Sequence, residues 1–188
     1  MYYQGIKKAI ILRSFEKNRS ELGEIHPLLK RLFLARGVTS AAELDRTLSK
    51  LPSPWLLSGM EGMVGHLITA INEQQRICIV ADFDADGATS CALAIKGLQL
   101  LGAGQVSFVV PNRFEYGYGL TPEIVELVKL QTPDNIITVD NGISSVEGVK
   151  AAKDSGIKVL VTDHHLRGHE LPEADANVNP NLVDDKFP

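Results

Sequence analysis

A chain of 188 residues with 44% hydrophobic content and a net charge of −4 carries enough apolar material for one substantial core and too much for a disordered segment. No apolar run approaches the roughly 20 residues a membrane-spanning helix needs, and the opening MYYQGIKKAIILRSFEKNRS lacks the small-residue cleavage site of a secretory leader, so the expectation is a cytoplasmic protein with no membrane partner. Cys78 and Cys91 fall in an apolar strand and an apolar helix, which reads as reduced core packing rather than a disulfide frame.

Residues 1–50 hold ten Lys or Arg against five Asp or Glu, a balance of +5, and residues 51–188 carry the remaining −9. The basic first part could contact nucleic acid electrostatically, and a solvated charged helix face explains it equally well. From Glu24 to Leu48 the text reads as short helices: His26 and Pro27 open an apolar-periodic run through Leu28, Leu29, Leu32 and Phe33, Gly37 closes it, and Ser40 is the N-cap of a second. The Pro-rich bridge LPSPWLLSG, 51–59, divides the chain into a basic helical segment, 1–58, and a main domain, 59–188. An amphipathic helix is expected over 60–74, through Met63, Leu67, Ile68 and Ile71. His26 and His66 are isolated and read as packing or surface residues.

From residue 77 the pattern alternates strand and helix. Strands are expected at 77–81, 106–110, 135–139 and 159–162, with a fifth near 176–178, and helices at about 89–101, 122–130 and 146–154. Thr121 with Pro122 opens the second of these helices, and a capping box of Ser144 with Glu147 opens the third. The fold class is therefore α/β: a doubly wound, mainly parallel five-stranded sheet with helices on both faces, preceded by the small helical segment.

In such sheets ligands gather at the C-terminal strand ends, and every end here carries polar chemistry. The first strand runs into Asp82, Asp84 and Asp86, the second into Pro111, Asn112 and Arg113, the third into Asp140, Asn141 and Gly142, and the fourth into Asp163, His164 and His165. Three carboxylates two residues apart project to one side of an extended segment, and their repulsion calls for a cation. Gly87 allows a close turn there, and the N–H groups of Ala88, Thr89 and Ser90 at the helix start are placed to meet a phosphate. The string D-x-D-x-D-G also opens an EF-hand loop, but the twelfth position is Leu93 rather than Glu and a strand precedes it. An aspartyl-phosphate mechanism would want a later lysine and paired acids that do not stand out, and a merely structural turn leaves the three acids unexplained.

This composition suits two divalent cations, Mn²⁺ or Mg²⁺, clamping the attacking water and the departing oxygen of a phosphoryl centre. Asp140, arriving from a separate strand, is the expected bridge; His164 adds a nitrogen ligand that favours Mn²⁺, while Asp163 and Asn141 support the ligands from behind. His165 would face the phosphate, with Arg113 forking two hydrogen bonds to it and Asn112 and Ser90 nearby. The loop EYGYG, 115–119, is flexible enough to admit a polymer, and Tyr116 and Tyr118 are placed either to stack on bases or to pack the loop.

The motifs ADFDADGATS, PNRFEYGYGLTPE, VDNGISS and VTDHH, in this order and spacing, resemble those of the DHH phosphoesterases, and most closely their single-strand DNA exonuclease branch. The resemblance covers nearly the whole chain from about His26, including the VNPNLVDDKFP that follows the histidines. It implies a Mn²⁺- or Mg²⁺-dependent hydrolase that removes nucleotides from the 5′ end of single-stranded DNA in recombination and repair, with a single-strand-binding protein and a helicase as partners. The family's metal ligands fall on Asp82, Asp84, Asp86, Asp140 and His164, and its phosphate contact on His165. Many members begin the first motif with a histidine where this chain has Asp82. The family also supplies a further metal-binding aspartate well downstream of the histidines, then a second domain and, in the exonuclease branch, an OB-fold. The chain stops at Pro188 before these, and Asp175, Asp184 and Asp185 lie too close to the histidines to replace that ligand. The expectation is thus a domain incomplete at its C-terminus. An oligoribonucleotide or cyclic-dinucleotide phosphodiesterase, or a non-catalytic single-strand-binding or scaffold module, stands as the alternative.

Overall fold

Five runs of apolar, mostly β-branched residues become the strands of one parallel sheet, as continuous buried strands do when helices cover both faces. A computed structural model describes residues 22–187, so the first 21 residues of the basic segment, and Pro188, lie outside the described residues. The described residues fall into two compact units, one ending at Leu51 and the other beginning at Pro52.

The first unit holds α1, Pro27–Leu34, and two single 3₁₀ turns, Ala41–Leu44 and Leu48–Lys50. His26 caps α1 by accepting from the Leu28 N–H, and Glu43 accepts from the Ser40 N–H at the start of the first turn. The leucine stripe of α1, Leu28, Leu29 and Leu32, is exposed.

The second unit begins with a 3₁₀ turn, Pro54–Leu56, and continues through α2 Met60–Asn72, β1 Ile77–Ala81, α3 Ala85–Leu100, β2 Val106–Val109, α4 Arg113–Tyr116, α5 Pro122–Lys129, β3 Asn135–Val139, α6 Val146–Asp154, β4 Lys158–Thr162 and β5 Ala176–Val178. The strand order is β2-β1-β3-β4-β5 and every pairing is parallel. Alternation along β1 sends Ile77, Ile79 and Ala81 to one face, with residues of α2 and α3, and Cys78 and Val80 to the other, with residues of α5 and α6. Two cores therefore sandwich the sheet, each buried branched side chain contributing about 1.5–3 kcal/mol against the ordering entropy. Both cysteines are free and buried, and burial pushes the Cys78 thiol up to about 11. No helix among the described residues is long and apolar enough to cross a membrane.

Three local expectations are corrected. Helix α3 starts at Ala85 rather than Thr89, because the Asp84 carboxylate accepts from the N–H groups of Asp86 and Gly87 and caps it. Asp86 is therefore helical and does not alternate with Asp82 on an extended segment, and the Ala88 N–H is spent on the Asp84 carbonyl instead of facing a phosphate. The capping box of Ser144 with Glu147 does not form: the N-cap of α6 is Ser145, whose hydroxyl accepts instead from the Leu120 N–H. The loop expected at 115–119 is helical through Tyr116, with Asn112 as its cap, and opens only at Gly117 and Gly119, both at positive φ.

Candidate metal centre

The parallel register builds the site. Ala81 pairs with Val139 and Val139 with Thr162, so Asp82, Asp140 and Asp163, each one residue further on, emerge side by side from β1, β3 and β4. The direction of winding reverses between β1 and β3, where a crevice opens in sheets of this order, and Asp82 and Asp140 flank it. Behind them Asn141 ties the two strand ends together, its Nδ2 donating to the carbonyls of Val80 and Val139 at 3.1 and 2.9 Å.

Asp82, Asp84 and Asp140 each offer a carboxylate oxygen, all within 4.8 Å of one another, and Asp140, His164 and His165 form a second group by the same measure. Asp140 belongs to both. Its backbone is left-handed, φ 61°, a conformation Asp adopts more readily than most residues but still at a cost. Burial, and then the Asp84 carboxylate, raise its pKa, while the hydrogen-bonding distance of 2.9 Å from Oδ1 to His164 Nε2 works against that rise. The Gly87 N–H, joined by the Asp86 N–H and Arg113, holds the Asp84 carboxyl below the ordinary range. Gly87 serves closeness rather than a turn: a Cβ there would strike the Asp82 backbone.

Asp163 is buried and organises the turn after β4. Its Oδ1 accepts from the N–H groups of His164 and His165 and lies 2.7 Å from His165 Nδ1, while Oδ2 accepts from the Ile143 N–H. The hydrogen bond between the Asp163 carboxylate and the His165 ring raises the pKa of His165. Arg113 reaches across from the end of β2, its Nη2 2.6 Å from Asp82 Oδ1 and 3.8 Å from Asp84 Oδ2. Asp82 fixes the guanidinium and raises its pKa further.

The predicted residues thus separate. Asp82, Asp84, Asp140, His164 and His165 converge; Asp86 and Ser90 line a cleft of about 440 Å³ with Asp140, His164, Thr89, Thr162 and Asp163, but Asp86 lies outside both groups of converging donor atoms. Tyr118 is half-exposed and tied to the site. Its hydroxyl donates to the Asp140 carbonyl at 3.3 Å and lies 3.0 Å from His165 Nδ1, and Arg113 sits over its ring. Burial, with Asp163 next, pushes its phenol up. Tyr116 packs against the core, and the Asn112 side-chain oxygen accepts from the Phe114 N–H. Thr162 went unmarked by sequence, because a hydroxyl within a strand leaves no local signature, and Thr89 was marked only for its backbone N–H.

The donor set fits a divalent cation. Buried carboxylates crowded against one another gain from a positive charge, and oxygen donors joined by imidazole suit Mn²⁺ and, with fewer nitrogen ligands, Mg²⁺.

Residues 76–186 match the family model described as DHH family, N-terminal domain. The single-stranded-DNA-specific exonuclease RecJ of Salmonella typhimurium is 53% identical over 166 residues, which are 88% of this chain and 29% of that protein. Its counterpart in Escherichia coli is 52% identical over 166 residues, with the same 88% and 29% coverage. A crystal structure of exonuclease RecJ bound to manganese aligns with a TM-score of 0.63 at 36% identity, over 72% of this chain and 33% of that one. The chain spans about 29% of the length of these curated relatives.

Proposed function

The chain belongs to the DHH family, and on that premise we propose that it carries the metal-binding part of a nuclease site that removes nucleotides from the 5′ end of single-stranded DNA. The observation that carries this reading is Asp140, shared between a carboxylate group and a carboxylate–histidine group, as a pair of divalent cations with one bridging ligand requires. Asp82, Asp84 and Asp140 would hold one cation, and Asp140, His164 and His165 the other, with Asp86 adjoining from α3. When bound, such cations neutralise charge on the phosphodiester and make water a stronger nucleophile.

The remaining residues bind and orient. Arg113, within reach of Asp82 and Asp84, turns its free guanidinium edge to a phosphate oxygen. Asp163 keeps the proton of His165 on Nδ1, which leaves Nε2 as the nitrogen able to act as a ligand. The Tyr118 hydroxyl braces both His165 and the strained Asp140 backbone, and Ser90 adds a hydroxyl to the cleft wall. Unpaired DNA as substrate calls for a helicase to expose the strand and a single-strand-binding protein to keep it open. Two free, buried cysteines agree with a reducing, cytoplasmic setting.

The test is nucleotide release from single-stranded DNA labelled at one end or the other, with Mn²⁺ and with a chelator. Mn²⁺-dependent loss from the 5′ end, abolished by Asp140→Asn, is the expected result. Release from the 3′ end, release that survives the chelator, or a chain that neither binds Mn²⁺ nor degrades DNA overturns the reading.

A further inference from the structure

The two histidines of the metal centre are poorly held by packing: the side chains of His164 and His165 are 61% and 44% exposed. Their turn is held by hydrogen bonds, and Asp163 supplies only those to the backbone N–H groups and to one ring. The carbonyls are held from the opposite side. Asn179, just beyond β5, donates from Nδ2 to the His165 carbonyl at 3.0 Å, and Asn181 donates from Nδ2 to the His164 carbonyl at 2.5 Å.

These donors are themselves fixed. Asn179 is fully buried, with 0% exposure, and its Oδ1 accepts from the Asn181 N–H at 2.7 Å. Pro180 between them limits the backbone. The strand before them is locked to β4 by the pairing of Val178 with Thr162 and by the Asp163 N–H, which donates to the Val178 carbonyl at 3.1 Å. A rigid two-pronged donor fork thus closes on consecutive carbonyls of the two histidines. A third asparagine, Asn177, makes the same kind of bond to a different place, donating to the Pro172 carbonyl at 3.1 Å.

We propose that Asn179 and Asn181 are positioning residues that set the orientation of His164 and His165, and through them the metal affinity of the Asp140, His164, His165 group. Both asparagines act through the histidine carbonyls. The proposal rests on the reading of that group as a metal site, and groups that orient metal ligands from behind typically change affinity by about 10–100-fold when removed.

The experiment compares the 188-residue chain with Asn181→Ala, Asn179→Asp and the control Asn177→Ala. Each is measured for Mn²⁺ affinity by electron paramagnetic resonance, for thermal melting in chelator, and for the ¹⁵N signals of the histidine rings in chelator. Asn179→Asp keeps the acceptor for the Asn181 N–H but sets an oxygen against the His165 carbonyl. Asn181 is exposed, so its variant decides the matter if Asn179→Asp does not fold. The expected outcome is a loss of Mn²⁺ affinity of about tenfold or more in the first two variants, with altered His164 and His165 ring signals, and neither effect in Asn177→Ala. Unchanged affinity and ring signals in Asn181→Ala, or an equal loss in Asn177→Ala, overturns the proposal. If the unsubstituted chain binds no Mn²⁺ while the ring signals still respond, the functional reading fails and the positioning role stands.

Discussion

Arg113 and Asp82 come from neighbouring strand ends and meet through Nη2 and Oδ1 at 2.6 Å, so a guanidinium is seated on the first carboxylate of the metal centre. A divalent cation held by Asp82 as proposed would compete with Arg113 for that oxygen. Arg113→Ala is expected to bind Mn²⁺ more tightly, by about tenfold or more, the scale of one charge-assisted hydrogen bond that no longer has to be given up. On the proposed nuclease reading, turnover on single-stranded DNA should fall in the same variant, because the phosphate would lose its fork. Calorimetric Mn²⁺ titration beside a nuclease assay separates the two effects, and parallel loss of both would show that Arg113 serves the fold.

Asp140 combines a left-handed backbone with a carboxyl whose pKa is raised by burial and by Asp84. A carboxyl with a folded pKa above its unfolded value disfavours the ionised form, so stability falls as pH rises through the interval between the two values. Asp140→Asn removes the charge and tolerates the left-handed region, and in chelator at neutral pH it should melt higher than the unsubstituted chain. Asp140→Ala loses the local preference and should be about 1 kcal/mol less stable than the Asn variant, a difference of roughly 3 °C in melting temperature. Both should lose Mn²⁺ binding.

Glycines on α3 predict opposite outcomes. Alanine normally gains about 1 kcal/mol over glycine inside a helix, and Gly97, with open space where a Cβ would go, should show that gain. At Gly87 the Cβ would strike the backbone of Asp82, which cannot yield without moving a ligand. Gly87→Ala should therefore cost about 1–3 kcal/mol and weaken Mn²⁺ binding. Urea unfolding of both variants measures the contrast.

At the opposite end of the sheet Asp134 accepts from Arg76 through both side-chain and backbone N–H groups. The Arg76 side chain, first among the causes, holds the Asp134 carboxyl below its ordinary range. A depressed folded pKa contributes stability above the unfolded carboxylate value, near 3.9, and loses it as pH falls through the folded value. Asp134→Asn should be less stable than the unsubstituted chain at neutral pH, with the gap closing progressively below about pH 4. Unfolding curves over that range read it, and a pH-independent gap would place the effect elsewhere than in ionisation.

His165 carries the opposite sign. Its pKa is raised, first by the Asp163 hydrogen bond, so the stability the pair contributes is complete below the ordinary imidazole value, near 6.5, and fades as pH rises through the folded one. Asp163→Asn should bring the His165 titration, followed by NMR in chelator, back down toward the ordinary value.

Much of this protein was legible in the order of its residues. Ile77–Ala81 and Asn135–Val139 are apolar runs bounded by polar residues, and such runs alternating with amphipathic segments leave few sheets to build. Because parallel strands end on one edge, Asp82, Asp140, His164 and His165 could be placed together without coordinates. The start of α3 was misplaced because Asp84 suits an extended segment and an N-cap alike, and only the hydrogen bonds of its carboxylate distinguish them. Tertiary structure alone decided which side chains meet: that Arg113 closes on Asp82, that the Tyr118 hydroxyl braces His165 while Tyr116 packs the core, and that Asn179 and Asn181 grip the histidine carbonyls. Backbone preference and hydrophobic period act over a few residues, so they are written locally. A side-chain contact between elements depends on strand order, register and reach, and these exist only once the sheet has closed its two cores.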